Sequence, residues 1–404
     1  MRTTFRSLAG FNYRVWAAGA LVSNIGTWMQ RTAQDWIVLT ELTAHDATAV
    51  GIVMSLQFGP QFLLLPLTGY AADRLDRRRM LAVTQSVMGL LALGLGVLTL
   101  AGTVQLWHVY LFAFLLGCTT AFDSPARQSF VAELVGDAHL SNAVALNSTS
   151  FNAGRLIGPA VAGVLIALVG SGWVFVLNAL SFAAVLGALA MLRPAQFHAR
   201  LTRPGHRSGL ADGVRHVWSR HELRAVLVMF FLIGTFGMNF PIYISTMAVS
   251  VFQVGAGEFG LLTSSMATGS VTGALLSAGR DKPRMSMLMG AALAFGVTLT
   301  LAALMPGYLL FAVALFCVGL ATQTFTTTAH SAAQLWSDPF LRGRVIALVM
   351  AVSAGGTPIG APLIGMVANN FGPRWAMAVG AMSGFAAAAV GMLALARLRR
   401  DAAG

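Results

Sequence analysis

Charge is what this chain has least of: Asp, Glu, Lys and Arg together make up 10% of its 404 residues. A water-soluble domain needs roughly a quarter of its residues charged, so a soluble globular protein is excluded. Cysteine is almost absent as well. Cys118 and Cys317 both fall in apolar runs, which excludes a disulfide framework and leads us to expect two small buried side chains. The eight histidines include no metal-ligand pair at helical spacing, and no phosphate-binding loop ending in Gly-Lys-Ser or Gly-Lys-Thr occurs. Gly255, Gly257 and Gly260 spell a dinucleotide-type pattern, but no strand precedes them. Asn147 opens a glycosylation sequon inside an apolar run, where it cannot be used. No nucleophile–base or metal constellation is present, so neither an enzyme nor a bound cofactor or metal is expected.

What the chain does have is hydrocarbon. Hydrophobic residues make up 56% of it, and the mean hydropathy is +0.73. Apolar runs of about 20 residues, each long enough to cross a bilayer as a helix, recur along its whole length. Twelve are counted, at 15–39, 48–70, 80–101, 107–124, 143–168, 173–192, 224–250, 258–279, 285–305, 308–328, 344–369 and 374–396. The 43 glycines and 13 prolines do not argue against helices, because neighbouring helices satisfy a broken backbone in a membrane. The expected fold is an all-α, multi-pass integral membrane protein. Its first span should act as an uncleaved insertion signal.

From residue 117 onward, the chain aligns on itself at an offset of 202 without a gap. Gly117 meets Gly319, Gly154, Gly158 and Gly163 meet Gly356, Gly360 and Gly365, and Gly170 and Trp173 meet Gly372 and Trp375. A duplicated six-span unit follows: an N-terminal bundle over 1–192, a polar cytoplasmic linker over 193–223 and a C-terminal bundle over 224–404. Such repeats are expected to be related by a pseudo-twofold axis, with a site between them. The linker is expected to carry a short amphipathic helix near its end. Residues 125–141, and their copy at 327–343, mix charge with apolar positions at helical spacing and predict helices lying along the inner membrane surface.

The net charge of +12 does not point to nucleic acid. With the N-terminus inside, alternate connections carry 23 of the 26 basic residues, while Arg374 stands on the opposite side with Glu41, Asp46 and Glu258. This positive-inside bias places both termini in the cytoplasm. Arginines at membrane ends also attract anionic lipid.

At the end of the second span, Gly69, Asp73, Arg74, Arg77 and Arg78 have the spacing Gly-x-x-x-Asp-Arg-x-x-Arg-Arg. This resembles the loop signature of the major facilitator superfamily. The resemblance implies a cytoplasmic gate in which Asp73 and the arginines clamp the halves together. A carboxylate there can accept from arginine and from a helix N-terminus at once. The second-half counterpart, running from Gly279 to Arg284, is shortened. In the fifth span, Gly154, Gly158, Pro159 and Gly163 resemble the motif of the superfamily's proton antiporters, with Ala162 departing at one position. Glycines four apart also serve close helix packing, and the copy at 356–365 keeps them.

Charges inside the spans are few: Arg31 and Asp35 in the first, Arg155 in the fifth and Asp123 at the end of the fourth. Each costs about 2.5–3.5 kcal/mol near the bilayer centre, so each is expected to be paired and to face a central cavity. Arg31 and Asp35 stand four apart on one helix face and can reach each other. Asp35 is expected to take up and release a coupling proton, with Arg31 or Arg155 setting its proton affinity. A static ion pair is the other reading of the same spacing. Candidate cavity-lining residues are Trp28, Gln30, Gln34 and Trp36 from the first half, and Phe236, Asn239, Tyr243 and Gln323 from the second. The aromatics could equally stand at the lipid interface.

Phe5 to Leu8, Ser23 to Gln30, Ala33 to Trp36, Asp123 to Gln128 and Asn142 to Asn147 are similar to one branch of the superfamily. That branch holds the enterobactin-exporter-like and macrolide-efflux-like bacterial permeases, and the likeness covers nearly the whole chain. It implies secondary-active, proton-coupled efflux of a small amphipathic compound (a drug, siderophore or secondary metabolite) by alternating access. The expected setting is a bacterial inner membrane, and the expected state a monomer. A nutrient importer and a lipid flippase share the fold. A non-transporting receptor is a further alternative, although no loop is long enough for an added soluble domain.

Overall fold

The structure is a computed structural model and describes residues 5–64, 67–68, 71, 75–198, 210–278, 283–338 and 341–401. The first helices are α1 (Phe11–Ile37), α2 (Ala47–Leu63), α3 (Arg77–Leu100), α4 (Leu106–Val135), α5 (Asp137–Val169) and α6 (Ser171–Met191). A short amphipathic α7 (Leu210–Ser219) precedes α8 (His221–Val251), α9 (Ala256–Ala278), α10 (Met285–Leu304) and α11 (Tyr308–Leu335). The eleventh span is built from α12 (Arg342–Gly355) and α13 (Thr357–Phe371), and α14 (Pro373–Asp401) is the last. Among the described residues, ten stretches are long and apolar enough to cross a membrane. The first two spans fall short for different reasons. Arg14, Gln30, Arg31, Gln34 and Asp35 lower the hydropathy of α1, and α2 is described only to Leu63. Large apolar side chains such as Leu90, Leu168, Leu275 and Leu309 stand mostly exposed, a surface that lipid covers and water does not. The protein is a multi-pass membrane protein.

The chain clusters into two compact units, and neither is a simple half. One comprises residues 1–44, 59–204 and 255–264, the other 45–58, 205–254 and 265–404. Thus α2 and α9 each change unit along their length. In the first unit α1 packs on α5 and α6, and α3 on α4 and α6. In the second, α10 packs on α11 and α14, and α14 on α8. The duplication shows in the turns as well. Gly170 joins α5 to α6 and Gly372 joins α13 to α14, each with positive φ (86° and 98°) that an L side chain resists.

The separate surface helix expected over 125–141 is not there. α4 runs unbroken through Pro125 to Val135, only Gly136 intervenes, and α5 begins at Asp137. The amphipathic pattern belongs to two long helices extending past the apolar zone, and period alone does not separate that case from a surface helix. Arg127 therefore sits in α4, where its Nε donates to Asp123 one turn earlier at 3.1 Å. Asp123, buried, also accepts from Thr84 Oγ1 and Gln85 Nε2, both at 2.7 Å, which fixes α3 against α4. In the copy, α11 likewise extends to Leu335, and α12 begins at Arg342.

The eighth helix departs from regularity. α-Helix gives way to a wide turn at Ile233–Gly237, to non-helical backbone at Met238 and Asn239, and to a second wide turn at Met247–Val251. α1 ends in the same way, at Val38–Leu42. Such turns leave carbonyls without their regular partners and recur at functional sites.

Candidate functional site

The polar side of α1 is where charge enters the membrane interior. Its position is set by close approach to α5. A Cβ on Gly158 would lie 2.6 Å from Trp28 Cβ, and one on Gly154 would lie 2.8 Å from the Asn24 carbonyl carbon. The antiporter-like glycines therefore seat Trp28 directly on α5. Asn24 Nδ2 donates to Ser150 Oγ across the same crossing at 2.9 Å. On the next face, Gln30 Oε1 accepts from Asn178 Nδ2 of α6 at 2.5 Å, and Asn178 Oδ1 accepts from Ser181.

Around Trp28 the structure gathers two of the intramembrane charges, with a third, Asp35, within electrostatic reach of one of them. The Arg31 guanidinium carbon lies 5.0 Å from the indole centroid, and that of Arg155, arriving from α5, lies 5.8 Å away. The Phe151 ring meets the indole edge-on at 5.6 Å. Arg31 acts electrostatically on Asp35, one turn further along α1, and Arg31 and Arg155 repel one another. Among the described residues, Arg155 makes no ion pair or hydrogen bond. A desolvated cation over an indole gains about 2 kcal/mol, which offsets part of the cost of holding arginine there. The charges described at this place thus include two cations, Arg31 and Arg155, and one anion, Asp35.

The other expected lining residues divide. Trp36 stacks on Phe259 of α9 at 5.6 Å and stays partly exposed, as do Phe236 and Gln323. Gln323 donates to Thr327 at 3.2 Å. Gln30, Asn239 and Tyr243 are instead buried in packing within their own units. Asn239 Nδ2 donates to the Thr235 carbonyl at 2.8 Å, and the Tyr243 hydroxyl donates to the Phe236 carbonyl, closing the irregular turn of α8. Gln34 is 1% exposed, and its Nε2 has no partner among the described residues.

Of the loop signature, Gly69, Asp73 and Arg74 lie outside the described residues. Arg77 pairs with Glu133 of α4 at 2.6 Å, and Arg78 donates to the Leu189 carbonyl in the last turn of α6 through Nε (3.2 Å) and Nη2 (2.8 Å). Asp76 caps α3 by accepting from the Arg79 amide. These two arginines tie the start of α3 to helices of its own unit.

The residues that sequence reasoning missed form two matching crossings. In the second unit, α2 lies on α13: a Cβ on Gly51 would lie 2.5 Å from the Ala361 carbonyl oxygen, and Ser55 Oγ donates to the Pro358 carbonyl at 2.7 Å. Pro362 has no amide for that carbonyl, and the serine fills the gap. In the first unit, α9 lies on α5 in the same way. Gly260 approaches the Pro159 carbonyl, and Ser264 Oγ donates to the Leu156 carbonyl at 2.8 Å. The third glycine of each motif copy completes the pair, Gly163 against Ala256 and Gly365 against Ala47 and Thr48. The first two copied glycines, Gly356 and Gly360, seat α12 and α13 on Thr235 of α8, as Gly154 and Gly158 seat α5 on α1. The signal was a Gly-x-x-x-Ser repeat, Gly51 to Ser55 and Gly260 to Ser264, at an offset of 209. The offset of 202 hides it.

One crossing carries an additional clasp. The Asn369 side chain donates to Asp46 (2.6 Å) and to Thr48 Oγ1 (2.9 Å), and accepts from the Ala47 amide (2.8 Å).

The sequence profile described as transmembrane secretion effector matches residues 3–403. The chain is 26% identical over 360 residues to the staphyloferrin A transporter of Staphylococcus aureus, covering 86% of this chain and 87% of that one. It is 27% identical over 367 residues to the multidrug efflux pump Tap of Mycolicibacterium fortuitum, with coverage of 87% and 88%. To the enterobactin exporter EntS of Escherichia coli it is 26% identical over 362 residues, with coverage of 89% and 85%. Among solved structures it is similar to a bacterial homologue of the human lysosomal transporter Spinster, inward-facing and occupied. That likeness has a TM-score of 0.74 at 15% identity and covers 96% and 97% of the two chains. It is also similar to a POT family transporter in complex with 5-aminolevulinic acid, with a TM-score of 0.76 at 12% identity and 96% of both chains covered. These last two likenesses establish the fold.

Proposed function

Because the chain belongs to the transmembrane secretion effector family of the major facilitator superfamily, whose members are transporters, we propose that it exports a small amphipathic compound in exchange for protons. Relatives named for siderophore and drug efflux support the direction. The positive-inside distribution supports a bacterial inner membrane with both termini cytoplasmic. The observation that carries the coupling is the cluster on α1. Asp35 is a protonatable carboxylate coupled to Arg31 beside a second guanidinium, in a chain with few other intramembrane charges. Protonation of Asp35 removes the anion from a group of three charges and leaves two cations in repulsion, which changes how the helices bearing them prefer to sit.

In this reading the crossings of α2 on α13 and of α9 on α5 form the outer closure, and export requires both to part. Trp28 and Trp36 of the first unit, and Phe236 and Gln323 of the second, are partly exposed and are the lining residues this reading keeps. The driving force suffices: one charge moved across about 100 mV supplies about 2.3 kcal/mol, and each factor of ten in gradient needs about 1.4 kcal/mol. The test uses inside-out vesicles carrying the protein, with an imposed pH gradient and a panel of amphipathic compounds. A compound that cells expel through this protein is expected to dissipate the gradient on addition, and only when the protein is present. Protein-dependent expulsion of a compound that moves no protons would overturn the coupling.

A further inference from the structure

We propose that Arg155, Arg31 and Trp28 form a recognition site for an aromatic anion, a carboxylate or phenolate carried on a flat apolar ring. The proposal deepens the export reading above and rests on it. Its starting point is an imbalance of charge. Asp35 is the carboxylate that Arg31 acts upon, whereas the charge that acts on Arg155 is the like charge of Arg31. The Arg155 guanidinium has no hydrogen-bond or ion-pair partner among the described residues. Arginine cannot shed its proton to escape this, and it offers donors in a planar fork that matches a carboxylate. A guanidinium held inside a membrane span without an anion is costly, and such groups mark substrate pathways.

The second observation is the surface beside those donors. Both guanidiniums lie within 6 Å of the Trp28 ring centre, at 5.0 and 5.8 Å, and Phe151 stands edge-on to the same ring while remaining half exposed. Gly158 holds Trp28 in place, since any larger residue would meet its Cβ. With the cations seated over Trp28, the half-exposed Phe151 ring beside Arg155 is the apolar surface that fits a flat ring bearing a negative group. A cationic compound would be repelled by Arg155. A neutral one would leave Arg155 as it is.

An anionic lipid headgroup shares the charge but lacks the ring, and the test separates the two. Full-length protein in phosphatidylcholine nanodiscs is titrated calorimetrically with 2-naphthoate and with its neutral counterpart 2-naphthamide. Naphthoate is expected to bind about tenfold more tightly or better, the scale of one buried charge-assisted hydrogen bond. Arg155→Gln should erase that preference, so that the two compounds bind alike. Arg155→Lys, which keeps the charge and loses the fork, should retain a smaller preference. Equal binding of the two compounds to the wild type, or an unchanged preference in Arg155→Gln, overturns the proposal. Loss of the preference when phosphatidylglycerol is added assigns the guanidinium to lipid and overturns it as well. The titration needs no gradient, so failure of proton coupling leaves its outcome untouched. An active exporter that ignores the charge of naphthoate sinks this inference alone.

Discussion

Asp35→Asn is expected to reduce proton-driven export to background while leaving exchange of substrate down its own gradient intact. Asparagine keeps the shape of the side chain but cannot carry a charge or release a proton, so the coupled step loses its carrier. Exchange of substrate for substrate moves no net proton. Counterflow in proteoliposomes, with labelled compound outside and excess unlabelled compound inside, should therefore persist. Breaking a buried pair by removing one partner costs about 3–5 kcal/mol where the remaining charge is uncompensated. Expression and thermal unfolding must accordingly be measured on the same preparation, and Asp35→Glu, which restores a carboxylate, should recover part of the activity. A variant that pumps at the wild-type rate at equal abundance would return the Arg31–Asp35 pair to a static structural role.

The second large effect is expected at the glycine crossings. A Cβ on Gly360 would run into the carbonyl oxygen of Thr235, which is backbone and cannot swing away. Gly360→Leu should therefore force α13 off α8 and leave little folded protein. Overpacking a tight site costs about 1–3 kcal/mol even for modest insertions, and a leucine exceeds that. Gly158→Leu meets Trp28 Cβ and should behave in the same way. Gly290→Ala is the control, since nothing lies within 4 Å of its added carbon. Size-exclusion profiles of fluorescently tagged protein would show a folded peak for the control and loss of it for the two leucines. If Gly360→Leu gives the profile of Gly290→Ala, the crossings do not hold the units as described.

Much of this was legible in the sequence because a membrane removes choices. Backbone groups in lipid must be satisfied within a helix, so an apolar run of sufficient length is already an element. The glycine copies at 154, 158 and 163 and at 356, 360 and 365 announced the duplication, and the structure seats each copy on matching helices, α1 and α9 for the first and α8 and α2 for the second. That Arg31 and Asp35 stand one turn apart on α1, close enough to act on each other electrostatically, could be read from their spacing of four. Arg155 was named with them as a charge inside a span, but its route to Arg31, over Trp28, comes only from the packing of α5 on α1. Gln30, Asn239 and Tyr243 looked like lining because polar groups in a span suggest a pathway. Each instead bonds within its own unit, Gln30 to Asn178, Asn239 to the Thr235 carbonyl and Tyr243 to the Phe236 carbonyl. The irregular turns of α8 left no trace in hydropathy, which averages over the positions where a backbone hydrogen bond is lost.

The most direct test is a spin–spin distance measurement across the crossing of α2 on α13. Labels at His45→Cys and Asn370→Cys, both exposed, would be placed in a background where Cys118 and Cys317 are replaced. In lipid nanodiscs the wild type is expected to show two distance populations whose balance changes between acid and alkaline pH. With Asp35→Asn added, both populations should remain and their balance should no longer respond to pH. A single distance under all conditions, or the same pH response without Asp35, would contradict the claim that a proton on α1 governs whether this crossing stays closed.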